Sequence, residues 1–440
     1  MRILLISVLA VMALLVAVVL TAYVRSGDAP STAQTSPPTS QPLSQDSTPQ
    51  APTQTAAPKA PAACTERGVQ GIRIGRACAT PETVSLNLSG AEFTLLGMLQ
   101  NFPDTQVLDG PPELQGIRLG ALASLPNLKT LTLQRARNVD YAPLAQLTGL
   151  ERLVLAGSDI QDLTPLSGLS TLRALDLSDT KVTDLSPLTA LTGLQHLVLN
   201  NTQITDLTPI AGIANLTQLG LNHTRITDIT PLSRLTELRV LAAYDSQIAD
   251  ITALAELTSL TRLHLDKSRI SDLSPLAGLS ALTWLDVDRT PVSDIGPLAG
   301  LTRLDWLDLH DTQVTDLAAL AQLKHLSRLD LHNTPVDDLS PLGDLPSLAK
   351  LNLSGTAVGD LSALRDKAEL DSLDLSGTQV TDLSPLTNLP ELDSLNLSDT
   401  QVSDLSPLET LPDLSSLDIQ NTQIADLGSL TGKERLQIKR

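Results

Sequence analysis

The chain has 440 residues, 42% of them hydrophobic but only 2% aromatic, and a formal net charge of -19. So few aromatics exclude the usual core of a large globular enzyme and demand one built from aliphatic residues, chiefly Leu. The acidic balance excludes nucleic acid as partner, because phosphate binding needs a basic face, and two cysteines exclude a disulfide-scaffold fold or a four-thiolate zinc site. In residues 1–25, Ile3 to Val24 is an apolar run of 22 residues, and about 20 span a bilayer as a helix. A cleaved signal peptide, with an apolar region of about 7–15 residues, would leave a secreted protein. The longer run favours an uncleaved signal anchor, a transmembrane helix. Residues 26–62 are Pro, Ser, Thr, Gln and Ala, with Asp28, Asp46 and Lys59 the only charges. They predict a disordered linker, since they cannot bury a core. Residues 63–127 predict an irregular N-terminal cap, with Leu86-Asn87-Leu88 as a strand. Cys64 and Cys78 in this section predict a disulfide if the chain is exported; two buried free thiols are the alternative.

From residue 128 to 440 the chain repeats every 22 residues. One unit reads Leu172-x-x-Leu175-x-Leu177-x-x-Thr180-x-Val182-x-Asp184-Leu185-Ser186-Pro187-Leu188-x-x-Leu191. An aspartate column from Asp140 to Asp426 counts 14 units without an insertion or deletion. Such uniformity requires stacked, equal rungs. Leu175-x-Leu177 alternates as a short strand with both leucines inward. Thr180 sits where the chain leaves the strand, and its hydroxyl is expected to bond the backbone of the next rung. Ser186-Pro187 predicts a short helical turn, with a hydroxyl cap followed by Pro. Aliphatic columns then fill a thin, flat core in which aromatics would overfill the space. Lys367 breaks a leucine column on the back of the rung, and its charged end is expected to reach outward. The tail holding Leu436 and Ile438 predicts a minimal polar cap after the last turn.

The half-unit Thr-x-Ile/Val-x-Asp-Leu-Ser-Pro-Leu resembles the bacterial internalin-type leucine-rich repeat. The resemblance implies an α/β solenoid, a leucine-rich-repeat horseshoe or arc. Its parallel β-sheet would line the concave face, its short 3₁₀ turns the convex face, and a protein ligand would sit in the hollow. The internalins' wall-anchoring signal is not seen here. The anchor reading therefore places the chain in the bacterial inner (cytoplasmic) membrane, single-pass, with an exported periplasmic head; secretion after cleavage is the alternative.

The aspartate column predicts Asx turns, in which each carboxylate accepts backbone N–H bonds; a calcium ladder is the alternative. The strand positions between the inward leucines predict the functional face. One column reads Arg262, Trp284, Trp306, Arg328, Lys350; the next His264, Asp286, Asp308, Asp330, Asn352; the third Asp266, Asp288, His310, His332, Ser354, with Tyr244 one rung earlier. Both tryptophans of the chain therefore fall on neighbouring rungs, flanked by Arg, as in a binding hot spot. Two readings stay open. Either these side chains take a ligand, or Arg262 and Arg328 stack on the indoles as cation–π pairs and the His residues pair with Asp. A metal held by His310, His332, Asp308 and Asp330 is geometrically possible but secondary. A more apolar stretch (Val154, Val198, Val240, Ala242) extends the surface. No phosphate loop and no Cys–His pair appears. The expectation is a non-enzymatic binding protein without cofactor, its partner a protein or peptide, or alternatively a glycan stacked on Trp284 and Trp306.

Overall fold

A computed structural model describes residues 63–66, 69–74, 77–88, 99–110 and 119–440. All lie in one compact unit, 58–440. The apolar run Ile3 to Val24 and the linker 26–62 lie outside the described residues. Among the described residues no helix is long and apolar enough to cross a membrane. That finding overturns the expected single-pass inner-membrane location.

The unit begins with a three-stranded antiparallel sheet, β1 (Ala63–Glu66), β2 (Val69–Ile74) and β3 (Ala77–Ala79), with β2 in the middle. Seventeen parallel strands follow, from β4 (Ser85–Asn87) to β20 (Gln437–Lys439). Each pairs with its chain neighbours, and no pairing among the described residues joins β4 to β20, so the sheet is open. Two strands were not expected. Val107–Asp109 pairs with both Ser85–Asn87 and Thr130–Thr132. At the other end Gln437–Lys439 pairs with Ser416–Asp418, so the basic tail continues the sheet where a cap was expected. Lys439 Nζ also meets Asp418 Oδ2 at 2.9 Å.

Each rung forms for local reasons. The central leucine of each strand points inward, and its rung-mates join one continuous core from Ala79 to Leu430. The ladder continues past the strand: Leu177 N–H donates to Val198 O (2.8 Å) and Asp179 N–H to Asn200 O (2.9 Å). Asp179 adopts φ 58°, and the same left-handed residue recurs in most rungs, as Asn201, His223, Lys267, Arg289, Asp311 or Gly377. Such a conformation suits Gly, Asn and Asp and costs other residues about 1–2 kcal/mol. The convex side is a series of short 3₁₀ turns such as Ser186–Leu188, each with a proline near its start in most rungs.

Three expectations about polar groups change. First, the hydroxyl of Thr180 donates to Leu177 O (2.6 Å) of its own rung, three residues back, and Thr202, Thr312 and Thr400 repeat this. Thr satisfies a carbonyl at the end of its own strand and bridges no rungs. Second, the expected Ser cap does not form, whereas the Asx turns expected of the aspartate column do. All fourteen carboxylates, from Asp140 to Asp426, accept the N–H two residues on, for example Asp184 Oδ1 from Ser186 N–H at 2.8 Å. Hydrogen bonds from Ser or Thr hold many of these carboxyls, such as those of Asp184 and Asp272, below the usual range. Third, Lys367 is buried: its ammonium donates to Gly343 O (2.5 Å) and Leu345 O (3.0 Å). Those carbonyls follow the previous convex turn, and a charge-assisted bond to each replaces the expected outward reach.

Candidate functional site

The strands β12 (Arg262–His264), β13 (Trp284–Asp286), β14 (Trp306–Asp308), β15 (Arg328–Asp330) and β16 (Lys350–Asn352) lie side by side. Their register sets Arg262 beside Trp284, Trp284 beside Trp306, Trp306 beside Arg328 and Arg328 beside Lys350. Parallel strands about 4.8 Å apart hold such neighbours at stacking distance. The two indoles stack, with centroids 3.9 Å apart and planes within 12°. Arg262 lies over the outer face of this stack, its Cζ 6.0 Å from the Trp284 ring, and Arg328 over the other, 5.0 Å from the Trp306 ring. The column is therefore a cation–π–π–cation sandwich. Arg262 and both tryptophans are half-buried, and Arg328 and Lys350 are exposed.

The second column belongs to the turns. Asp308 Oδ1 accepts His310 N–H (3.1 Å), Asp330 Oδ1 accepts His332 N–H (2.9 Å), and Asp286 Oδ1 lies 3.4 Å from Asp288 N. Asn352 Nδ2 bonds Asp330 Oδ2 at 3.0 Å. A carboxylate committed to its own backbone folds in against the sheet. Asp286 is fully buried and Asp308 is 6% exposed, while Asp266 and Asp288 in the third column are 3% exposed. These four were expected at the surface. The structure instead covers them with neighbouring rungs, leaving the tryptophan column and the histidines as the accessible part.

The histidines pair with the carboxylates. His310 is half-buried between two of them: Nδ1 meets Asp308 Oδ1 at 2.8 Å and Nε2 meets Asp288 Oδ2 at 2.8 Å. Burial works against its charge, but the hydrogen bonds that it donates to Asp288 and Asp308 prevail and push its pKa up to about 10. His264 Nδ1 lies 3.8 Å from Asp286 Oδ2, and its ring 5.8 Å from Trp284. His332 Nδ1 instead meets Ser354 Oγ at 2.6 Å. Burial, then the charges of Asp286 and Asp288, raise the Asp266 carboxyl to about 8. Burial likewise raises Asp308 to about 7, against the hydrogen bond from His310. Tyr244 is half-buried and packs edge-on to His223 at 4.5 Å.

Both readings of the patch thus meet in one geometry, with the cation–π and His–Asp pairs formed and the stack still reachable from solvent. The metal grouping changes. Asp288, Asp308 and His310 offer atoms within 4.8 Å of one another, without His332 or Asp330. Asp311 is an addition: its Oδ2 lies 3.8 Å from His310 Nε2 and 3.3 Å from Arg289 Nε. The recurrence of Gly, Asp and Asn at its place in the 22-residue unit marks the left-handed position it occupies, and that signal is present in the sequence. Cys64 falls on β1 and Cys78 on β3, the two outer strands of the antiparallel sheet.

An open sheet of parallel strands, most of them followed by a 3₁₀ turn, with a variable patch on its concave face, defines a solenoid of the leucine-rich-repeat kind. A family model for leucine-rich repeats (two copies) matches residues 170–212, 302–344, 368–408 and 390–432. The internalin InlF of Listeria monocytogenes is 29% identical, with 83% of this chain and 98% of that one covered and a TM-score of 0.62. A leucine-rich-repeat protein of Leptospira interrogans is 23% identical, with 82% and 96% covered and a TM-score of 0.74. The leucine-rich-repeat ectodomain of the Arabidopsis thaliana receptor kinase GASSHO1/SCHENGEN3, solved in complex with Casparian strip integrity factor 2, is 23% identical. It covers 77% of this chain and 47% of that one, with a TM-score of 0.62. No curated protein matches the sequence. The repeats that this family model matches are leucine-rich repeats, and the fold is similar to that of the Listeria internalin.

Proposed function

We propose that the chain is a non-enzymatic binding protein that takes a protein or peptide ligand on its concave face, centred on Arg262, Trp284, Trp306 and Arg328. The observation that carries this reading is the indole stack. Here the strand positions change from the small polar residues of the last rungs, such as Ser372, Ser394 and Ser416, to two stacked indoles flanked by cations. Trp and Arg side chains preordered by mutual stacking lose little entropy when a partner covers them, which is the property of a hot spot. The fold itself holds such partners elsewhere, as the plant ectodomain does with Casparian strip integrity factor 2. A glycan is the weaker reading. Sugar rings stack on free indole faces, and here the inner faces cover each other while the outer faces carry guanidinium groups. The flanking Arg328 and Lys350 are exposed, and these suit polar and acidic groups of a polypeptide.

The test is capture from cell extract by the folded chain, beside the Trp284→Ala, Trp306→Ala double variant. A polypeptide retained by the wild type and lost from the variant, with circular dichroism unchanged, is the expected outcome. Equal capture by both, or retention of polysaccharide alone, overturns the reading.

A further inference from the structure

The carboxylates and the cations of the concave face do not pair with each other. In the second column Asp330 accepts His332 N–H on Oδ1 (2.9 Å) and the Asn352 amide on Oδ2 (3.0 Å). Two rungs on, Asp374 accepts Ser376 N–H on Oδ1 (2.9 Å) and the Asn396 amide on Oδ2 (3.0 Å). Asn alternates with Asp here, so each of these carboxylates finds its donors within its own column. The first column is left with its positive charge. Among the described residues neither Arg328 nor Lys350 forms an ion pair, whereas Lys129, Arg289 and Lys439 on other rungs each do. Arg328 is held over the Trp306 ring, and a guanidinium so placed keeps its in-plane N–H donors for a carboxylate. Both side chains are exposed and stand on paired strands, about 4.8 Å apart. In a chain of net charge -19, two cations without acids are a docking point for acids from outside.

The neighbouring rungs limit what can lie there. Beyond Lys350, residues 368–432 hold twelve Asp and Glu and no Lys or Arg. An acidic segment running that way would be repelled. In the other direction, past Arg262, the first two columns carry Val240, Gln218, Ala242 and Gly220, all uncharged. From Val240 to Lys350 the sheet advances by five strand spacings, or about 24 Å, which about seven residues of extended chain would span.

We propose that the polypeptide bound on this face is a short segment of two halves. Its carboxylates sit on Arg328 and Lys350, and an uncharged, apolar remainder crosses the indoles toward Val240. The proposal rests on the reading of the concave face as a polypeptide site and adds the chemistry of the occupant.

The probes are blocked heptapeptides of alternating leucine and serine that end in a pair of glutamates, made in both chain directions. Counterparts carry a pair of glutamines or of lysines. Emission of Trp284 and Trp306 reports binding. A saturable change is expected with a glutamate peptide in one direction, weakened in 1 M salt. Affinity should fall about threefold in Lys350→Gln and about tenfold or more in Lys350→Glu. The wild-type titrations need no variant and stand even if a variant misfolds. No saturable binding of either glutamate peptide, equal binding of the glutamine peptide, tighter binding of the lysine peptide, or wild-type affinity in Lys350→Glu each overturns the proposal. A captured polypeptide that the double tryptophan variant loses but Lys350→Glu retains refutes the acidic half alone and leaves the polypeptide site standing. Equal capture by the double tryptophan variant removes that site and the proposal with it.

Discussion

Replacing Asp266 with Asn should stabilise the protein at neutral pH and do nothing at mildly acidic pH. The folded state holds the Asp266 proton up to about 8, chiefly because burial disfavours the charge and secondarily because Asp286 and Asp288 repel it. The unfolded chain releases that proton near pH 3.8. A group whose folded pKa is raised binds more protons in the folded state, so stability falls as pH rises from about 4 to about 8. At about 1.4 kcal/mol per pH unit, the cost at pH 7 reaches about 4 kcal/mol. Asp308, raised to about 7, adds to the same trend. His310 contributes stability that is full below its unfolded value of 6.5 and lost only as pH rises through about 10. Asn at 266 has no proton to lose and removes the repulsion by Asp286 and Asp288. A gain of about 2–4 kcal/mol at pH 7 is expected, shrinking to nothing near pH 4. Urea unfolding followed by circular dichroism, in chelator-treated buffer at several pH values, measures it. Midpoints serve better than extrapolated free energies, since repeat arrays depart from two-state behaviour. A variant less stable than wild type at pH 7, or a difference independent of pH, would refute the reasoning.

The other predictions concern the scaffold. Gly377→Ala, at φ 67° with only the Gly355 backbone 3.7 Å from the new Cβ, should cost about 1–2 kcal/mol through backbone strain alone. Gly212→Ala, with no atom within 4 Å, should be neutral or stabilising by up to about 1 kcal/mol; the same effect from both substitutions in thermal unfolding would contradict the left-handed turn. The stacked indoles should give an exciton couplet in circular dichroism that vanishes in either Trp284→Phe or Trp306→Phe, and a couplet surviving one of these would show that the rings do not stack. A disulfide between Cys64 and Cys78 predicts no free thiol in denatured, unreduced protein, and two titrating thiols would end that assignment.

The scaffold was legible because it is repeated. Leu175-x-Leu177 and Asp184-Leu185-Ser186-Pro187 recur in phase, and period and turn chemistry together leave one fold. What the sequence hid was pairwise. It showed that Trp284 and Trp306 share a column, but not that they stack, because a column fixes Cα spacing and leaves ring orientation open. It placed Asp286 and Asp288 among the outward positions, since alternation distinguishes in from out and not covered from uncovered. It read the Asx turn at Asp184, which forms, but added a cap from the Ser186 hydroxyl that does not, because both side chains can accept an N–H and only their distances separate them. The strand at Val107–Asp109 escaped notice because its leucine stands 23 residues before the next, one more than the repeat.

The central claim is that a polypeptide settles on the indole stack, and the protein carries a built-in reporter for it. Trp284 and Trp306 are the only tryptophans in the chain, so selectively excited emission comes from the site alone. Titration with the captured polypeptide should shift or quench that emission to saturation at the affinity found by calorimetry. Calorimetric binding that leaves both the intensity and the wavelength of the emission unchanged would place the ligand elsewhere and contradict the account.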